Sequence, residues 1–109
     1  MAESRLKQLL SYLDASPNDS FLLFAVAKEY ESHDQLDQAL KYYLRLKQFD
    51  PKYIGLYYHL GGLYVNIQEE MLALNVYKEG IELAKSLGDF HALSELNNAK
   101  TNLEITLGN

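Results

Sequence analysis

Apolar positions recur along the chain with the period of a helix. Leu23, Val26, Ala27 and Tyr30 fall at i, i+3, i+4 and i+7, and so do Tyr57, Leu60, Gly61 and Tyr64. That spacing puts four side chains on one face of an α-helix. A second stripe runs through Leu36, Ala39, Leu40, Tyr43 and Leu46, and its counterpart is Ala73, Leu74, Tyr77 and Ile81. Ser32-His33-Asp34 and Asn66-Ile67-Gln68 separate the stripes. Each is long enough only for a turn between antiparallel helices. Asp34 is expected to cap the helix that follows it, with Asp37 in its first turn. Pro51 ends that helix, because it has no N–H to donate and disfavours helical geometry at Asp50. The pattern predicts six helices, over about 3–14, 19–32, 35–48, 53–66, 69–87 and 89–106.

The two prolines, Pro17 and Pro51, lie 34 residues apart. At that offset Leu22 matches Leu56, Tyr30 matches Tyr64, Ala39 matches Ala73, Leu40 matches Leu74 and Tyr43 matches Tyr77. The matches are apolar or small, as expected of two copies of one packing unit. A large residue, Leu-Gly, Tyr, Ala, an aromatic and Pro, in that order, resembles the tetratricopeptide repeat over about residues 17–87. Its small positions fall on Ala27, Gly61, Ala39 and Ala73, and its large ones on Leu23, Tyr57, Tyr43 and Tyr77. Leu46 departs from a position that the pattern keeps small. The ending Leu93-Ser94-Glu95-Leu96-Asn97-Asn98-Ala99-Lys100 is similar to that of small stand-alone bacterial proteins of this family.

The resemblance implies an all-α fold, a short right-handed α-solenoid of two hairpins in a single domain over residues 1–109. Residues 17–50 and 51–87 are the repeats. A solenoid needs a lid at each end, here residues 3–16 and 88–109. Leu6, Leu9, Leu10 and Leu13 would face inward from the first lid. Arg5 takes the slot of Ala39 and Ala73, which suits a helix with no partner lying against that side. In the last lid Gly88 ends the long helix, Asp89 caps the next, and Phe90, Leu93, Leu96, Ala99 and Leu103 form the inward stripe.

Composition removes several classes of function. Ten Lys and Arg against fifteen Asp and Glu leave a net charge of −5. Nucleic acid is not expected as a partner, because phosphate binding needs a basic surface. Lys41, Arg45 and Lys47 read as a solvated outer face. There is no cysteine, no membrane-length apolar run and no secretory leader, so a cytoplasmic location is expected. His59 has no acidic or histidine neighbour at i±3 or i±4, His33 sits beside Asp34 in a turn, and no His-Glu-x-x-His pattern, phosphate loop or nucleophile motif occurs. No metal, cofactor or catalysis is expected.

In this family the first helix of each hairpin lines a concave groove. The resemblance therefore implies a groove of Phe21, Phe24, Lys28 and Glu31, then Gly55, Tyr58, Gly62, Val65 and Asn66, with Tyr53 beside them. Family members that grip a C-terminal carboxylate use Lys and Asn at positions held here by Phe24, Lys28 and Gly62, so that clamp is missing. The aromatics offer anchors for a peptide or helix of a partner protein, or else they pack against neighbouring helices. Gly62 sits inside a helix without a packing reason, which would let a ligand come close. The expected function is a monomeric, non-catalytic adaptor. The alternative is a self-associating assembly factor, with Tyr42 and the lids as the contact of a homodimer.

Overall fold

The computed structural model describes residues 2–108; residues 1 and 109, the ends of the expected domain, lie outside the described residues. Six helices follow one another: α1 (Ala2–Ala15), α2 (Ser20–Ser32), α3 (Leu36–Phe49), α4 (Gly55–Asn66), α5 (Glu70–Leu87) and α6 (Phe90–Gly108). No strand occurs among the described residues. The helices fall into two compact units divided between Tyr53 and Ile54.

In the first unit α2 and α3 form an antiparallel hairpin, and α1 packs on α2. The predicted stripes supply its core: Leu23, Val26 and Ala27 from α2 meet Ala39, Tyr43 and Leu46 from α3, all buried. Asp19 caps α2, its Oδ1 accepting from the Leu22 N–H at 2.9 Å. The Ser20 hydroxyl donates to Asp50 Oδ2 at 2.6 Å, tying the two open ends of the hairpin. α3 stops at Phe49, one residue before Asp50 and the proline. The lid is shallower than expected. Only Leu13 is buried, whereas Leu6, Leu9 and Leu10 remain half-buried because α2 is the neighbour of α1. Arg5 is 72% exposed and its guanidinium lies 3.3 Å from Glu29 of α2.

In the second unit α4 and α5 form the hairpin, and α6 packs on both. Two glycines decide how closely these helices approach. A β-carbon on Gly61 would collide with the Tyr77 ring, and one on Gly80 would lie 2.6 Å from Tyr57 Cβ and 3.0 Å from Leu96 Cδ1. A β-carbon on Gly62 would meet nothing within 4 Å. Leu96 and Leu103 of α6 are buried, but Phe90 is 78% exposed and leaves the expected stripe. Residues 89, 96 and 103 share one line along the helix, two turns apart. Asp89 occupies the first of those places, its Oδ1 accepting from the Ala92 N–H at 3.0 Å, so Phe90 points about 100° away. Met71 stands exposed at the start of α5.

Three helices end in the same backbone motif. The residue after the last turn adopts left-handed geometry, at Asp34 (φ 61°), Gln68 (φ 65°) and Gly88 (φ 68°). The next N–H reaches back to the last turn: Gln35 to Tyr30 at 3.0 Å, Glu69 to Tyr64 at 2.8 Å and Asp89 to Ala84 at 3.0 Å. This corrects the expected cap. Asp34 closes α2, and Gln35, at the start of α3, makes no capping hydrogen bond through its side chain.

Buried phenols form the polar part of the core. The Tyr43 hydroxyl donates to Glu31 Oε1 at 2.7 Å. Burial, and then the Glu31 carboxylate, hold the Tyr43 phenol far above its ordinary range. Burial also raises Tyr30, Tyr53, Tyr64 and Tyr77.

Left-handed geometry costs an ordinary residue ~1–2 kcal/mol, of which glycine's freer unfolded chain returns ~0.5–1. Gln68→Gly should therefore stabilise the fold by about 0.5–1 kcal/mol in urea titrations, and Asp34→Gly by less, since Asp tolerates this region. Gly61→Ala should destabilise by about 1–3 kcal/mol through overpacking against Tyr77, whereas Gly62→Ala should leave stability equal or higher by up to ~1 kcal/mol. For the five raised phenols, the folded-state pKa exceeds the unfolded value near 10. Their stabilisation is complete below about pH 10 and is lost as pH rises through the folded-state values. The urea midpoint should fall above about pH 10, with part of the tyrosinate absorbance appearing only on unfolding. Free titration of all nine phenols in the native protein would contradict this.

Candidate functional site

The ten residues expected to line a groove divide between the units, five in each. On α2, Phe21 is 66% exposed and Lys28 is exposed. Phe24 is half-buried, with its ring 5.2 Å from that of Tyr53 and 6.3 Å from that of Tyr43. The Lys28 ammonium sits 5.5 Å from the Phe24 centroid, a cation–π distance. Tyr53 is raised by burial first and then by the Asp50 and Asp19 carboxylates, so it stays a neutral hydrogen-bonding phenol. Glu31 is already engaged by the Tyr43 hydroxyl and belongs to the core as much as to the face. Of these aromatics Phe21 stands in solvent, whereas Phe24 and Tyr53 pack on each other.

A cleft of about 320 Å³ lies on this unit between Arg5, Phe21, Phe24, Ala25, Lys28 and Glu29. Arg5 and Glu29 were not among the expected site residues. Glu29 accepts from both sides, with Arg5 at 3.3 Å and His33 Nε2 at 3.1 Å.

On α4, Tyr58 is 42% exposed, and Val65 and Asn66 are exposed. Gly55 is the first residue of the helix, outside the interior where glycine is costly. The open space over Gly62 forms the floor of a cleft of about 550 Å³ between α4 and α6, walled by Tyr58, Val65, Tyr77, Ala99 and Leu103. A second hollow of about 340 Å³ continues past Tyr58 between Gly55, His59, Asp89, Ala92, Glu95 and Leu96. The last helix is expected to add a wall, but the strict repeat frame fails there and assigns it no residues. Its signal was present in Ala92, Leu96, Ala99, Leu103 and Thr106, an i, i+4, i+7 series. Asn66 lies beyond the walls of both hollows.

Two of the cations read as outer face, Lys41 and Arg45, engage Tyr42, the expected homodimer contact. Tyr42 stacks on Tyr30 at 5.6 Å, with the Arg45 guanidinium 5.1 Å and the Lys41 ammonium 5.6 Å from its ring. Of the histidines, His33 faces Glu29, His91 lies 3.7 Å from Glu95, and His59 meets Tyr58 edge to face. Among the described residues no group of three or more His, Cys, Asp or Glu could hold a metal ion. No helix among them is long and apolar enough to cross a membrane.

No family model matches the chain, and neither does any curated protein. Solved structures do. The crystal structure of a tetratricopeptide repeat domain protein from Salinibacter ruber is 41% identical, covering 79% of this chain and 97% of that one, with a TM-score of 0.76. The solution structure of a protein from Bordetella parapertussis is 26% identical over 93% of this chain and 88% of that one, with a TM-score of 0.81. The TPR2B domain of yeast Sti1, solved in complex with pHsp70, is 11% identical over 96% of this chain and 84% of its own, and its TM-score of 0.89 speaks for the fold. The small residues on which the repeat depends, Ala27, Gly61, Ala39 and Ala73, are all buried here. Together with the likeness to the Salinibacter protein over nearly its whole length, they establish that the chain belongs to the tetratricopeptide repeat family.

Proposed function

We propose that the protein is a non-catalytic interaction module that holds a peptide or helix of a partner protein against the first helix of a hairpin. One observation carries this reading. Large aromatic side chains, Phe21 on α2 and Tyr58 on α4, stand in solvent on the faces that the repeat presents to ligands, and Gly62 leaves the surface beside Tyr58 unfilled. Exposed aromatics next to a concave surface are the side chains that most often dominate binding energy. The yeast Sti1 domain, which has the same fold, was solved with a protein-derived partner. That supports the class of function here without supplying the partner. The Lys and Asn side chains with which family members grip a terminal carboxylate are replaced by Phe24, Lys28 and Gly62, which leaves one cation, Lys28, at those positions. A chaperone tail is therefore not the ligand we propose.

The test is capture from the native source with the tagged full-length chain, compared with a Phe21→Ala/Tyr58→Ala variant of unchanged melting behaviour. A partner recovered by the parent should drop about tenfold or more in the variant, since each anchor carries on the order of 1 kcal/mol or more. Equal recovery would remove the two aromatics from the binding surface and the reading with them.

A further inference from the structure

The α4–α6 cleft of the second unit carries charge of one sign. From Ile54 onward the chain holds seven carboxylates against three lysines, so it bears −4 of the net −5. α4 itself contains no Asp, Glu, Lys or Arg. The charged side chains that border its two hollows are Glu70 at one end and Asp89 and Glu95 at the other. No lysine or arginine lines either hollow. Lys85 is paired with Glu82 on α5 at 3.4 Å, and Lys100 with Glu104 on α6 at 3.0 Å. The floor between the carboxylates is apolar, with Tyr58, Gly62, Val65 and Leu103 along it. The cleft of the first unit differs, since Arg5 and Lys28 stand there beside a single Glu29.

Such a surface selects by charge as well as by shape. A low-dielectric floor rimmed with one sign concentrates ligands of the opposite sign and turns away those of its own. We propose that the α4–α6 cleft binds an amphipathic segment of a partner protein whose apolar anchor lies over Gly62 beside Tyr58 and whose lysines or arginines meet Glu70, Glu95 and Asp89. Asp89 contributes through the oxygen that is not occupied in capping α6, as its Oδ1 takes the Ala92 N–H. Glu95 shares its charge with His91 only when that imidazole is protonated. An acidic segment of the same apolar pattern is excluded by the rim. The inference rests on the interaction-module reading and adds the chemistry of the partner.

A displayed library of random dodecapeptides, selected on the full-length chain at moderate salt, tests both and separates them. The selected peptides should be rich in Lys or Arg flanking an aliphatic or aromatic residue. For the best of them, measured by fluorescence anisotropy, Gly62→Leu should abolish binding and Glu70→Gln/Glu95→Gln should weaken it about tenfold. Glu79→Gln/Glu82→Gln removes the same charge from the exposed side of α5 and should change affinity less than about threefold. Equal losses from the two charge pairs would mean that net charge alone attracts the peptide, and the cleft assignment falls. Selected peptides that are neutral or acidic yet lost on Phe21→Ala/Tyr58→Ala would overturn the basic-partner inference while leaving the interaction module standing. If no peptide is selected, both are wrong.

Discussion

The second unit depends on a ring lying where a side chain would be. Tyr77 of α5 fills the space that a β-carbon on Gly61 of α4 would need, and Tyr57 of α4 does the same over Gly80 of α5, with Leu96 of α6 on its other side. Each helix thus contributes one absent side chain and one large one to its neighbour. The close approach brings backbone and ring into dispersion contact along the interface. Because Leu96 is drawn into the same place, the packing also sets where α6 runs, and so where the wall of the cleft stands. The cleft beside Tyr58 is a by-product of how closely α4 and α5 come together.

The two copies of the hairpin share most apolar core positions, although Ala27 and Leu46 stand where the second has Gly61 and Gly80, and they differ on the face. Tyr43 and Tyr77 are equivalent, yet Tyr43 donates to Glu31 at 2.7 Å whereas the residue 34 positions after Glu31 is Val65. Lys28 likewise corresponds to Gly62, and Phe21 to Gly55. In the first copy the face is tied to the core by a buried hydroxyl and carries a cation. In the second the same positions are apolar or empty, which is what opens a floor beside Tyr58. Duplication preserved the packing problem and left the solvent side free to diverge.

Most of the architecture was legible because packing writes itself into spacing. The helix boundaries fell within a residue or two of those read from the apolar stripes, since burial of Leu23, Val26, Leu60 and their partners leaves little freedom in register. Asp34 was misread where two local rules compete for one residue type. An aspartate can cap the helix after it or turn left-handed to close the helix before it, and the tight turn demanded the second. Phe90 was misread because a stripe drawn by residue type ignored the place already held by Asp89. On the faces, the exposure of Phe21 and Tyr58 follows from the repeat frame. The α6 wall and the Arg5–Glu29 pair lay outside it, at the two lids where the frame no longer governs which neighbour a side chain meets.

Met71 stands in solvent at the start of α5, and it is the one sulfur atom among the described residues. The interior is aliphatic and phenolic throughout, with neither thiol nor thioether inside it. Sulfoxide formation damages proteins chiefly by making a buried apolar side chain polar. Here that lesion would fall on a position already wet, so among the described residues peroxide finds no buried sulfur through which to loosen the helices.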